Sequence, residues 1–142
     1  MANFGALIDN NNGNPFVTPN STPFVLYAKV SANSVDAGAD YKTANGSVDI
    51  PANYPAMVFM RSNNRCVLAA SRSGNRIIFS GSIQGQNNPH FTVTAYIFAR
   101  FPQPLPRWGF AIWDASGTCI LTNESKVLTD LVTVGSFGNN GG

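Results

Sequence analysis

AMVFMRSNNRCVLAASRSGNRIIFSGS, residues 56–82, decides the fold. Three runs of six or seven residues rich in apolar and β-branched side chains, 56–61, 65–71 and 76–82, are separated by Ser62-Asn63-Asn64 and by Ser73-Gly74-Asn75. Runs of that length bounded by Asn and Gly read as strands, because those residues tolerate the positive φ that tight hairpin turns require. The spacing predicts an antiparallel meander.

Working outward, PFVLYAKVSA (23–32) and HFTVTAYIFARF (90–101) alternate with period two, as strands do. In the longer run Phe91, Val93, Ala95, Ile97 and Ala99 share one face. SVDAGADYKTANGS (34–47), rich in Gly, Asp and Asn, reads as a long loop, and SIQGQNNPH (82–90) as another. KVLTDLVTVGSF (126–137) closes the chain as a last strand or a short helical turn leading into one. No amphipathic helical stretch of ten residues occurs. One all-β domain over residues 1–142 is expected, with about nine to eleven short strands in an antiparallel β-sandwich or a partly closed barrel.

The two ends of the chain carry the same phrase. FGALIDNNNGNPFVTPNST (4–22) aligns without a gap on WGFAIWDASGTCILTNESK (108–126), keeping Gly5/Gly109, Ile8/Ile112, Gly13/Gly117, Thr18/Thr122 and Ser21/Ser125. Each copy reads as a β-hairpin, aromatic-Gly, strand, Asx-rich turn closed by Gly, strand. The two hairpins are expected to pair with each other and close the sandwich. In the second copy one face, Trp108/Phe110/Ile112 or Ala111/Trp113, is expected to enter the core, so that Trp108 and Trp113 cannot both be buried.

Charged residues make up only 11% of the chain, against about a quarter in an average domain, while Asn contributes seventeen residues. A folded surface so poor in Lys and Glu suits burial against neighbouring subunits. All six arginines lie between residues 61 and 107, a region without acids from Ile50 to Trp113. Arg61 and Arg65 flank one predicted turn, Arg72 and Arg76 the other, with Arg100 and Arg107 further on. The strand between the turns spans about 20 Å at roughly 3.3 Å per residue, which separates the two pairs. Two distant pairs suit subunit contacts better than a single nucleic-acid grip. Arg61, Arg65, Arg72, Arg76, Arg100, Arg107, Trp108 and Trp113 are therefore the candidate interface residues.

Catalytic chemistry is sparse. The single histidine, His90, follows Pro89 at a strand mouth, and no nucleophile-elbow, phosphate-loop or zinc-protease pattern occurs. Asp9-x-Asn11-x-Gly13 lacks the late Glu of a calcium loop and reads as a turn. No catalytic residue, metal or cofactor is expected, and Cys66 and Cys119 read as buried free thiols. No apolar run is long enough for membrane insertion. The loops at 34–47 and 83–90, with an exposed tryptophan, Trp108 or Trp113, as platform, leave a second class open, a carbohydrate-binding module for a host-surface glycan.

As a whole, Trp108-Gly109-Phe110-Ala111-Ile112-Trp113-Asp114-Ala115-Ser116-Gly117-Thr118-Cys119-Ile120-Leu121-Thr122, the opening Phe4-Gly5-Ala6-Leu7-Ile8, and the central 55–61 followed by Tyr96-Ile97-Phe98 resemble small tail-associated proteins of tailed bacteriophages and prophages. The resemblance implies a non-enzymatic virion component of the tail, tail tip, baseplate or fibre region. It would be assembled in the host cytoplasm, partnered by copies of itself and by other tail proteins, and in some cases would touch a host glycan.

Overall fold

The computed structural model describes residues 22–129 and 132, together with two short strands near the N-terminus, β1 (Ile8–Asp9) and β2 (Pro15–Val17). Nine more strands follow: β3 (Val25–Asn33), β4 (Val35–Asp36), β5 (Tyr41–Asp49), β6 (Ala56–Ser62), β7 (Val67–Ser73), β8 (Arg76–Gln84), β9 (Thr92–Ala99), β10 (Ala111–Trp113) and β11 (Cys119–Thr122). All pairings are antiparallel, and no helix occurs among the described residues. The fold is an all-β sandwich of one three-stranded sheet, β3-β9-β6, facing one four-stranded sheet, β4-β5-β8-β7. It is not a closed barrel.

The expected meander is corrected at its first turn. β7 and β8 do form a hairpin across the two-residue turn Gly74-Asn75, with Gly74 at φ 55°. β6, however, pairs with β9 in the opposite sheet, so the segment after Ser62 is a crossover between layers. Its asparagines serve that crossover through their side chains. Asn63 exchanges bonds with Thr92, whose N–H donates to Asn63 Oδ1 at 2.7 Å while Asn63 N–H donates to the Thr92 carbonyl at 3.3 Å. Asn64 Nδ2 donates to the His90 carbonyl at 2.7 Å.

The stretch 34–47 is a second correction, because most of it is strand. β5 pairs with β8 over nine residues, Tyr41↔Gln84 to Asp49↔Arg76. Its inward positions are Ala44, Gly46 and Val48, and the volume missing at Gly46 is filled from across the pair by Phe79, which is fully buried. A methyl group on Gly46 would collide with the Phe79 ring. The core, contributed by Ala44, Val48 and Ile50, by Ile77 and Phe79, and by Phe91, Val93, Ala95, Ile97 and Ala99, lies between the sheets. The face assigned to 90–101 from sequence is the buried one.

The terminal repeat is legible in the backbone. β1 pairs β2 through Ile8↔Val17 and Asp9↔Pro15, with a register shift between them. β10 pairs β11 through Ile112↔Leu121 and Trp113↔Cys119, with the shift at the corresponding place. The offset of 104 residues thus maps each pair and the irregularity of one hairpin onto the other. Each hairpin forms its own two-stranded sheet, so among the described residues the expected pairing between hairpins is absent. Instead the segment after β11 runs beside β3. Leu26 N–H donates to the Lys126 carbonyl and Leu128 N–H to the Phe24 carbonyl, both at 2.8 Å. The remainder of 126–137, apart from Lys126 to Thr129 and Val132, lies outside the described residues.

Candidate functional site

In the second hairpin β11 is the buried strand, while β10 is half-buried at Ala111 and Ile112 and exposed at Trp113. Cys119, Ile120, Leu121 and Thr122 are all buried, because the register shift places Ile120 as an extra residue and breaks the alternation of faces. Gln103 N–H donates to the Cys119 carbonyl at 2.8 Å and ties this strand to the Pro-rich crossing at 102–106. Neither tryptophan reaches the core: Trp108 is 85% and Trp113 53% exposed, and Phe110 and Leu105 are exposed beside them in sequence. The expectation that one aromatic face would be core is corrected by this packing.

The hairpin's turn is closed by one carboxylate oxygen. Asp114 Oδ1 accepts the N–H groups of Ser116 and Thr118, each at 2.9 Å, and the Ser116 hydroxyl at 2.6 Å. The Ser116 hydroxyl first, and the Thr118 N–H next, hold the Asp114 carboxyl below the usual carboxylate range. An oxygen so saturated is a turn clasp, in keeping with the expectation from sequence. Among the described residues no group of three potential metal ligands occurs.

The arginines divide into two kinds. Arg72 is exposed but bonded within its own chain, its guanidinium donating to the Tyr54 and Pro51 carbonyls at 2.7 Å each and so holding the crossover between β5 and β6. Arg76 pairs with Asp49 of its own chain at 2.7 Å; that bond lowers the Asp49 pKa and raises that of Arg76. Arg100 stands 6.0 Å from the Phe24 ring. Arg61, Arg65 and Arg107 are exposed, and no hydrogen bond or ion pair is made by their side chains among the described residues. Arg61 and Arg65 lie at one end of the sandwich, Arg72 and Arg76 at the other, so the sequence-based separation of the two pairs stands.

His90 belongs to a corner. Ser34, 8% exposed, is the single residue between β3 and β4, where the chain passes from one sheet to the other. Its N–H donates to the Phe91 carbonyl at 2.8 Å, and its hydroxyl oxygen accepts the Phe91 N–H at 2.9 Å. His90 Nδ1 lies 3.0 Å from that hydroxyl, and Nε2 lies 3.8 Å from Asp36, which Lys42 holds at 3.1 Å. Ser, His and Asp therefore line up, yet the hydroxyl is buried and already bonded to the backbone. Together with Asn63 and Asn64, this group fastens two layer crossings to the segment His90 to Thr92.

A cleft that sequence reasoning did not assemble opens at the same end of the four-stranded sheet. It encloses about 410 Å³ and is lined by Tyr41 from β5, Arg65 and Val67 at the start of β7, Ser82 and Gln84 from β8, and Asn88 from the following loop, with Cys66 and Ile83 completing the wall. Tyr41, from one of the stretches read as loops, and Arg65 to Val67 flank it, and residues of the other, Ile83, Gln84 and Asn88, lie between them with Ser82. The missing signal was the pairing Tyr41↔Gln84, which only the β5–β8 register provides.

Comparison with protein families, with curated proteins and with solved structures found no match to this chain.

Proposed function

We propose that this protein is a non-enzymatic structural component of a bacteriophage tail, in the tip, baseplate or fibre region, that assembles with itself and with other tail proteins. The exposed aromatic side chains of the second hairpin carry the reading. Trp108, Phe110, Trp113 and Leu105 leave large apolar side chains in water on a chain with few charges to keep copies apart. Tryptophan is enriched at interface hot spots because a large, rigid side chain gains much burial at little entropic cost. The resemblance of residues 108–122 to phage tail proteins points the same way.

The test is light scattering on the full chain, with Trp108→Ser/Trp113→Ser as the comparison. A mass of several chains is expected for the native protein, and weakening of assembly by about thirtyfold or more for the double variant, since even one hot-spot truncation costs about 2 kcal/mol. A native protein that is monomeric at every concentration and absent from purified virions overturns the reading. A second reading, recognition of a host-surface glycan, is favoured by the cleft, where an exposed tyrosine ring stands among side chains able to bond hydroxyls.

A further inference from the structure

We infer that the cleft between Tyr41, Arg65, Val67, Ser82, Gln84 and Asn88 binds a sugar acid, a uronate-type residue of a polysaccharide, with its carboxylate on Arg65 and its apolar ring face on Tyr41. The inference rests on the glycan reading above and adds the chemical class of the sugar.

Four observations converge. The volume, about 410 Å³, falls at the lower end of the range for small-molecule sites. The cleft is preformed, because its loop is held by three bonds, one to the neighbouring turn, where Gly85 N–H donates to the Asp40 carbonyl at 2.7 Å, and two within it, where Asn88 N–H donates to the Gly85 carbonyl at 3.2 Å and Asn88 Nδ2 to the Gln84 carbonyl at 2.7 Å. A fixed loop loses little entropy when a ligand arrives. The lining also holds one cation and no carboxylate; Asp40, adjacent in sequence, is exposed in the preceding turn and is not part of the wall.

The fourth observation is that the groups pointing to a ligand have no other work among the described residues. Arg72 and Arg76, though exposed, commit their guanidinium groups to partners in their own chain, whereas Arg65 makes no hydrogen bond or ion pair among the described residues. Tyr41 is 43% and Val67 71% exposed, an apolar wall in water. A guanidinium offers two parallel donors matched to a carboxylate. An aromatic ring offers a face for C–H groups, and Gln84 and Ser82 offer a carboxamide and a hydroxyl for the remaining hydroxyls. A nucleic-acid strand would need a track of cations, and this cleft has one.

The full chain, isotope-labelled, is titrated with methyl glucuronide, methyl glucoside and acetate while the resonances of Tyr41, Gln84 and the Arg65 side chain are followed. Saturable shifts are expected for the glucuronide, with an affinity about tenfold above that of either control. Arg65→Gln should bring the two sugars to equal affinity, and Tyr41→Ala should weaken both. Both side chains are exposed, and unchanged melting temperatures verify folding of the variants. Equal affinity of the two sugars for the native protein overturns the acid specificity while leaving glycan recognition standing. Acetate binding as well as the glucuronide reduces the site to an anion pocket and overturns the inference. No saturable shift with either sugar up to about 50 mM overturns both the inference and the glycan reading.

Discussion

At the scale of single residues, the sharpest dependence is on a side chain that is absent. Gly46 lies opposite Phe79 in the β5–β8 pair, and the ring occupies the space where a Cβ would stand. Phe79 has no exposed surface and is enclosed by the core, so it has nowhere to go. Gly46→Ala is expected to destabilise the protein by about 1–3 kcal/mol through overpacking, read as a lowered urea midpoint. Asp114 makes a prediction of the opposite kind, in pH. Its folded pKa is depressed, so its contribution is present above the unfolded value near 3.9 and is lost as pH falls through the lower folded value. The amide resonances of Ser116 and Thr118 should therefore hold steady from about pH 6 to about pH 4 and move only below that, and in Asp114→Ala they should lack that acid transition. A transition near neutrality would contradict the clasp. The matching position in the first copy of the repeat is Asn10, which cannot titrate in this way.

At the scale of strands and crossings, arginines that look equivalent in sequence do different things. Arg72→Ala removes two bonds that hold the Pro51 and Tyr54 carbonyls and is expected to cost about 1–2 kcal/mol, whereas Arg61→Ala should change stability by less than about 0.5 kcal/mol. Thermal or urea unfolding of the two variants separates them. The same elements mark how far the sequence could be read. The alternating face of residues 90–101, the β7–β8 hairpin and the internal repeat were legible, because each depends on local period or on a two-residue turn. β5 was not, since a strand whose inward residues are Ala44, Gly46 and Val48 shows no apolar alternation when its neighbour supplies the bulk. The crossing at Ser62 to Cys66 was not either: Asn63 and Asn64 look like turn residues but serve through amides that bond a segment nearly thirty residues away. The cleft was hidden for the same reason, being made by register. The exposure of both tryptophans was not legible either, because the bulge that lets all four residues of β11 be buried depends on register.

For the whole molecule, the distribution of exposed groups sets how assembly should respond to salt. Asp49 is already bonded to Arg76 of its own chain and Asp36 to Lys42, which removes two of the acids open to a neighbour's arginines. The tryptophan-bearing hairpin is apolar by contrast. Assembly through its exposed aromatic side chains should persist, and tighten slightly, when salt is raised from about 0.1 M to about 1 M, where screening shortens the Debye length from about 10 Å to about 3 Å. Light scattering at the two concentrations checks this, and dissociation at high salt would move the interface to the exposed Arg61, Arg65 and Arg107.

The placement of β9 bears on the order in which the protein comes into being. It is the middle strand of the three-stranded sheet, the partner of both β3 and β6, and its leading residues fasten the two crossings at Ser34 and Asn63. Yet it occupies residues 92–99 of 142. On a ribosome, the strands made before it have one sheet to build and no opposite layer to bury its Phe79. The nascent chain must wait, with β3 and β6 unpaired edges in the meantime, until a strand synthesised late arrives between them and turns two loose layers into one body.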